Sequence, residues 1–537
     1  MQANNHDQLA PTLPRLRSAQ PGRVPAPGAV PPLPNDTIPP DPQRQVVILG
    51  AGPAGLTAAY ELTRYRIPVT VLEADPRYVG GISRTVESQG YRFDIGGHRF
   101  FSKSEEVEAF WTEVMGDELL VRPRLSRILY KGKYFDYPLK ASNALFGLGI
   151  FETIRCLTSY AGARLHPIKD PKNLEDWVSN QFGHRLFSIF FKTYTEKVWG
   201  ISSKELSADW AAQRIKGLNM IEAIKSALLP QKKKKGGEVI KTLIDQFRYP
   251  RLGPGQMWET ARDQIQARGQ RVFMGQEVVS IRHSGGRVTE VLVRDTTDQV
   301  HSLPGAQFIS TLPMRNLVEM CDPPLPADVQ HAARSLKYRD FLTVAMVLNL
   351  PEVFPDNWIY LHDPDIIAGR IQNFKNWSPS MVANPQTTCL GLEYFVFEGD
   401  GMWTSSDDDL VKLGGQELVK LGMCQPENIL GGAVVRQPKA YPVYDDNYKQ
   451  HLDVIRIFMQ QNLPNLQLVG RNGMHHYNNQ DHSMMTALLA ARNIALGSHF
   501  DPWKVNTDAE YHEEARLEDE DKSGRLMPTR IPASAEK

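Results

Sequence analysis

At 537 residues the chain is long enough for two or three domains with an ample core. Lys plus Arg number 61 and Asp plus Glu number 61, so no net field directs the whole molecule toward nucleic acid or an anionic membrane. The four cysteines are scattered without a C-x-x-C pair, which points to reduced thiols rather than a disulfide framework or a zinc site.

Residues 1–44 are rich in Pro, Gln, Asn and Arg and read as a disordered tail. Order is expected to begin at Gln45. Val46 to Leu49 make a short apolar strand, and Gly50, Gly52 and Gly55 follow it in G-x-G-x-x-G register. Leu56 to Arg64 carries good helix formers, and a second apolar strand ends in Glu73. Strand, glycine turn, helix, second strand and acidic terminus together make the context of a dinucleotide fingerprint. The glycines would bring backbone amides and a helix N-terminus to a pyrophosphate, and the Glu73 carboxylate would accept from a ribose hydroxyl. A plain strand-turn-helix is the alternative.

Next come Gly80-Gly81-Ile-Ser-Arg84 and a strand running into Gly96-Gly97-His98. Arg84 could reach a cofactor phosphate or lie on the surface. Ser126 to Pro138 reads as a hairpin turning near Lys131-Gly132. Residues 142 to about 230 read as mostly helical, including Leu174 to Val198 and the Ala-rich segment around Trp210. The basic run 231–237 reads as a solvated loop, with attraction to an anionic membrane surface as the lesser alternative.

From Gly253-Pro-Gly255 a turn leads into a helix. Strands return at Val272 to Phe273, Glu277 to Arg282, Val288 to Val293 and Phe308 to Thr311, and again at Phe341 to Leu348 and Cys389 to Phe397. Leu466 to Arg471 is a last short strand ending in glycine. Met484 to Leu496 is helical, with Asp481 or Ser483 expected as its N-cap. The charged segment 501–537 is expected to pack loosely. No run is long enough to span a bilayer; Ala144 to Phe151 is the most apolar, and the expected location is the cytoplasm.

The pieces interleave. The fold class expected is α/β: a Rossmann-type cofactor domain built from 45–100, 250–320 and 460–500. Residues 101–249 supply a hairpin and helical insert, and 321–459 a mixed or antiparallel substrate-domain sheet.

Several segments resemble the amine-oxidase and protoporphyrinogen-oxidase class of FAD proteins: the fingerprint with Glu73, the Gly80–Thr85 tail, Phe308 to Pro313 and the Gly470 helix entry. Within it the chain resembles the UDP-galactopyranose mutases, on Phe93-Asp-Ile-Gly-Gly-His98 with Phe101-Ser102, Tyr137-Pro138, Tyr194-Thr-Glu-Lys-Val-Trp199 with Arg214, Gly369-Arg370 before Asn376-Trp-Ser-Pro379, and Gly470-Arg471 through Tyr477 to Asn479-Gln-Asp-His-Ser483. Lys140 and Thr195 depart from the family pattern.

The resemblance implies FAD held by Gly50, Gly52, Gly55, Glu73, Arg84, Gly97, Gly470 and Arg471, with the helix of Met484 and Met485 aimed at the flavin pyrimidine. It implies His98 against the isoalloxazine, though a structural histidine is the other reading. Arg214, Arg370, Tyr441 and Tyr477, with Arg471, would receive the diphosphate of a nucleotide sugar, since guanidinium groups suit doubly charged anions. Trp199 would stack on a base or fill the core. Arg124 and Ser126 resemble positions that bind NADPH, so NAD(P)H is a candidate reductant. The activity implied is pyranose/furanose isomerisation through a covalent adduct at N5 of reduced flavin. The alternative is an oxidoreductase that desaturates an amine or an apolar substrate; a non-catalytic flavin scaffold is a third class. His475, His476 and His482 lack the ligand spacing of a metal site, so none is expected. The partner expected is a small molecule rather than nucleic acid, and the oligomeric state stays open.

Overall fold

The computed structural model describes residues 45–137, 139, 141–206, 246–445 and 447–506. Both tails before 45 and after 506, the segment around Trp210, Arg214 and the basic run 231–237 lie outside the described residues. Three layers and a helical insert are built around two sheets.

The first sheet is five-stranded and parallel, in the order Leu466–Leu468, Gln307–Ser310, Val46–Leu49, Val69–Leu72, Arg271–Phe273. Val46–Leu49 is buried at all four positions. That explains its unbroken apolar run, because helices and a second layer cover both of its faces. On one face the helices Pro53–Arg64, Pro254–Ala267 and Gln480–Leu496 share a core of Leu56, Trp258, Met484 and Leu488. On the other face the strands Glu277–Ser284, Arg287–Arg294 and Val300–Pro304 form an antiparallel sheet, which Cys321–Asp322 joins. They pack with the helices Met314–Glu319, Ala327–Ser335 and Tyr448–Asn462.

The second large sheet has seven strands, ordered Ile429–Pro442, Tyr338–Leu348, Thr388–Val396, Arg370–Asn373, Trp358–Leu361, Ser126–Tyr130, Lys133–Asp136. The Ser126–Asp136 hairpin therefore belongs to this sheet, docked parallel on Trp358–Leu361. Side chains alternate across it. Leu342, Val344, Leu392 and Tyr394 pack toward the helix Asp407–Lys420, whereas Phe341, Cys389 and Phe395 face the helical insert.

Leu174 to Val198 is helical as expected, but broken once: Leu174–Phe182 stops at Gly183, whose φ is +82°, and His184–Phe187 restarts the chain before a π-turn at Ser188–Lys192 and the helix Thr193–Trp199. The helix Ile150–Leu165 passes so close there that a Cβ on Gly183 would sit 2.6 Å from the Tyr160 amide nitrogen. The final helix starts earlier than expected, and neither Asp481 nor Ser483 caps it. Asn479 does, in a reciprocal box with His482, whose Nδ1 accepts from the Asn479 amide at 3.3 Å.

Candidate functional site

The fingerprint glycines are required for different reasons. Gly50 holds φ at +99°, and a Cβ there would lie 2.2 Å from Thr311 Oγ1; a Cβ on Gly55 would lie 1.9 Å from the Gly50 carbonyl oxygen. The protein's own packing demands both. Gly52 has an ordinary φ of −75°, and the nearest atom to its Cβ would be the Cα of Gly81 at 3.9 Å. Nothing in the polypeptide excludes a Cβ at 52.

The helix Pro53–Arg64 begins immediately afterwards. Pro53 brings no N–H, no side chain caps the helix, and its first turn holds no acidic residue. An uncapped helix N-terminus facing a gap between two glycines suits a pyrophosphate. Gly80 closes the gap by donating its amide to Ala51 O at 2.8 Å. The Glu73 carboxylate accepts from the amides of Ala51 and Asp75 at 2.8 and 2.9 Å, which fixes its position at the end of the second strand. Each of its oxygens keeps a lone pair for a ribose hydroxyl. Arg84 is buried, not on the surface. Its Nη1 donates to Gly81 O at 3.0 Å and to Gln437 at 2.7 Å, so it braces the glycine turn against the substrate sheet. These residues fit an FAD.

A second cluster lies where the two large sheets approach. His98 Nε2 donates to Ile95 O at 2.8 Å, which leaves Nδ1 to accept from Ser83 Oγ at 3.4 Å. Burial first, and then the charges of Arg471 and Arg370, hold its pKa down at about 4, so the ring is neutral at neutral pH. Arg370 donates through Nε to Glu393, and Gln372 donates to the other Glu393 oxygen at 2.9 Å. Neither Nη group of Arg370 has a hydrogen-bond partner among the described residues.

A Cβ on Gly96 would lie 3.8 Å from His98 Nε2 and 3.9 Å from Arg370 Nη2, so ring and guanidinium meet at the glycine turn. Gly97 is exposed, and a Cβ on it would press on Gln372 at 2.9 Å.

Arg471 completes the group. Its guanidinium carbon lies 5.4 Å from the Tyr441 ring centroid and 5.0 Å from that of Tyr477, and the two rings stack 5.9 Å apart at 16°. Nε of Arg471 donates to Asn478 O at 2.9 Å. Burial pushes the hydroxyls of Tyr441 and Tyr194 well above their usual pKa, so both remain protonated donors. Trp199 is 5% exposed and sits 6.3 Å from the Tyr477 ring, part of the core that backs this group.

His98, Arg370, Tyr441, Tyr477 and Arg471 thus come together. Gly470 meets the fingerprint helix, its Cβ position 3.0 Å from Ala54 Cβ. Met484 and Met485 are buried in the helix core, and Met484 Sδ accepts from Trp111 Nε1 at 3.1 Å. Their side chains pack into that core rather than lining the site. Sequence reading missed Glu393 and Gln437. The signal for Glu393 was present: a lone carboxylate inside Cys389-Leu-Gly-Leu-Glu-Tyr-Phe, an otherwise apolar strand.

The model of the flavin-containing amine oxidoreductases matches residues 53–495. The chain belongs to that family. It is 28% identical over 305 residues to a putative flavin-containing monoamine oxidase, AofH, of Mycobacterium tuberculosis, covering 54% of this chain and 61% of that protein. It is 27% identical over 172 residues to the dTDP-fucopyranose mutase of Escherichia coli, covering 30% of this chain and 44% of the mutase. The chain therefore spans less than two thirds of the length of either relative. The fold resembles the crystal structure of a reduced UDP-galactopyranose mutase, with a TM-score of 0.73 at 21% identity over 84% of this chain and 94% of that one. The chain thus combines membership of this flavin-containing family with a fold that resembles a mutase. No helix among its described residues is long and apolar enough to cross a membrane.

Proposed function

We propose that this flavoenzyme isomerises a nucleotide sugar between pyranose and furanose forms, with the diphosphate held by Arg370 and Arg471. The observation that carries this reading is the open guanidinium edge of Arg370, presented beside Arg471 and the stacked Tyr441–Tyr477 pair. Two cations and two phenol donors suit a group whose negative charge grows as a glycosidic bond to phosphate breaks.

When reduced, the flavin supplies a nucleophilic nitrogen to such chemistry. The protein's part is positioning. Glu393 fixes Arg370 in the sheet, and Asn478 fixes Arg471. His98 stays neutral and ties the Gly96-Gly97 turn to Ile95. The relatives named as mutases support the same reading.

The monoamine oxidase relative favours a second reading, in which the aromatic pair Tyr441–Tyr477 receives an amine. An amine arrives as a cation, however, and would meet two guanidinium groups against one carboxylate. Titration of the flavin spectrum with UDP, uridine and benzylamine separates the two. The proposal expects a response to UDP at concentrations where uridine gives none, lost in Arg370→Ala. A response to benzylamine alone would replace it with the oxidase.

A further inference from the structure

The helical insert carries a surface that the proposed chemistry does not use. The helix Ile150–Leu165 presents Ile150, Phe151, Ile154, Leu157 and Leu165 to solvent, and Ile168 continues the row past its end. Phe151 is 83% exposed and Leu165 75%. The spacing 150, 154, 157, 165 keeps these side chains on one side of the helix, with Phe151 at the edge of the row, while Cys156 on the opposite side is buried. At 1.5 Å per residue the row is about 24 Å long over the helix alone.

An open cavity of about 470 Å³ flanks the row, lined by Arg155, Thr158, Ser159 and Arg185. Arg155 and Arg185 share one carboxylate, Glu152: Arg185 donates to it through Nε, and Arg155 stands 3.6 Å away with a side chain 70% exposed. The cavity therefore keeps surplus positive charge. Between 150 and 172 the chain has Arg155, Arg164, Lys169 and Lys172 against Glu152 and Asp170.

We propose that this helix face docks on an anionic lipid surface, its apolar row entering the acyl boundary and Arg155 and Arg185 receiving phosphate headgroups. Charge complementarity favours such a surface. An apolar face with basic flanks and a cationic cavity is the arrangement of an interfacial helix.

Vesicle co-sedimentation of the full chain tests it, with flavin content and melting temperature confirming that each variant folds. Wild type is expected to sediment with phosphatidylcholine vesicles containing phosphatidylglycerol, less so at high salt, and not with phosphatidylcholine alone. Exposed Arg155→Glu should weaken partitioning by at least about fivefold, the worth of one basic residue at such a surface. Ile154→Asp should abolish it. Failure of wild type to bind, equal binding to neutral vesicles, or binding unchanged in both variants and therefore carried elsewhere, as by the lysines of 232–235, would each overturn the proposal. So would a dimer in light scattering that Ile154→Asp dissolves while no vesicle is bound.

Discussion

Arg370 and Glu393 lie directly opposite one another on neighbouring antiparallel strands, and the carboxylate that Arg370 Nε reaches has no solvent exposure. Gln372, two residues along the first strand, occupies the remaining Glu393 oxygen. The pair is therefore half structure and half site: one edge of the guanidinium is anchored and the other is presented.

Breaking one side of this pair should cost more than removing both. Glu393→Gln leaves a buried guanidinium without its counter-ion, a loss of about 3–5 kcal/mol, while Arg370→Met with Glu393→Met should recover much of that stability. The double variant should still fail to bind UDP. Chemical denaturation and UDP titration of the three proteins check both halves of the expectation.

The fingerprint glycines should separate folding from cofactor retention. Gly55→Ala collides with the Gly50 carbonyl and Gly50→Ala with Thr311, so both should lower the melting temperature of the apoprotein. At Gly52 a Cβ would meet no protein atom nearer than Gly81 Cα at 3.9 Å, so Gly52→Val should fold normally, yet lose flavin, because its side chain fills the gap at the helix N-terminus. Yellow colour after purification and apoprotein melting distinguish the two classes. Gly52→Val protein with a full flavin complement would contradict the cradle.

That contrast shows what the sequence made legible. Val46 to Glu73 could be read because strand, turn and helix signals are local and agree. The pairing of Arg370 with Glu393 could not, since it depends on the register between strands 370–373 and 388–396, which no local pattern sets. Ile429–Pro442 escaped notice for a different reason. Gly431, Gly432 and Pro438 argue against a strand, yet the segment is the edge of its sheet, where an interrupted ladder and a proline are tolerated. For the cap of the last helix the local pattern pointed to Asp481 or Ser483, and only packing selects Asn479. Gly183 reads as a tolerable helix glycine until the helix passing Tyr160 is in place.

His98 should make stability fall in mild acid. In the unfolded chain its pKa is about 6.5, and in the fold burial and two arginines lower it to about 4. Between those values the unfolded state binds more protons, so the contribution present above pH 6.5 is lost as pH falls, by at most about 1.4 kcal/mol per pH unit. His98→Gln should flatten the slope of unfolding free energy between pH 6.5 and 4 without shifting the value at pH 8 by a comparable amount. Denaturation at a series of pH values reads this slope directly.

The measurement that bears most directly on the central claim is turnover of UDP-galactopyranose by the purified flavoenzyme, with and without dithionite, followed by chromatography for a furanose product. Product is expected only with reduced flavin, and none from Arg370→Ala under the same conditions. Absence of product from a panel of nucleotide sugars, together with oxygen consumption on an amine, would contradict it.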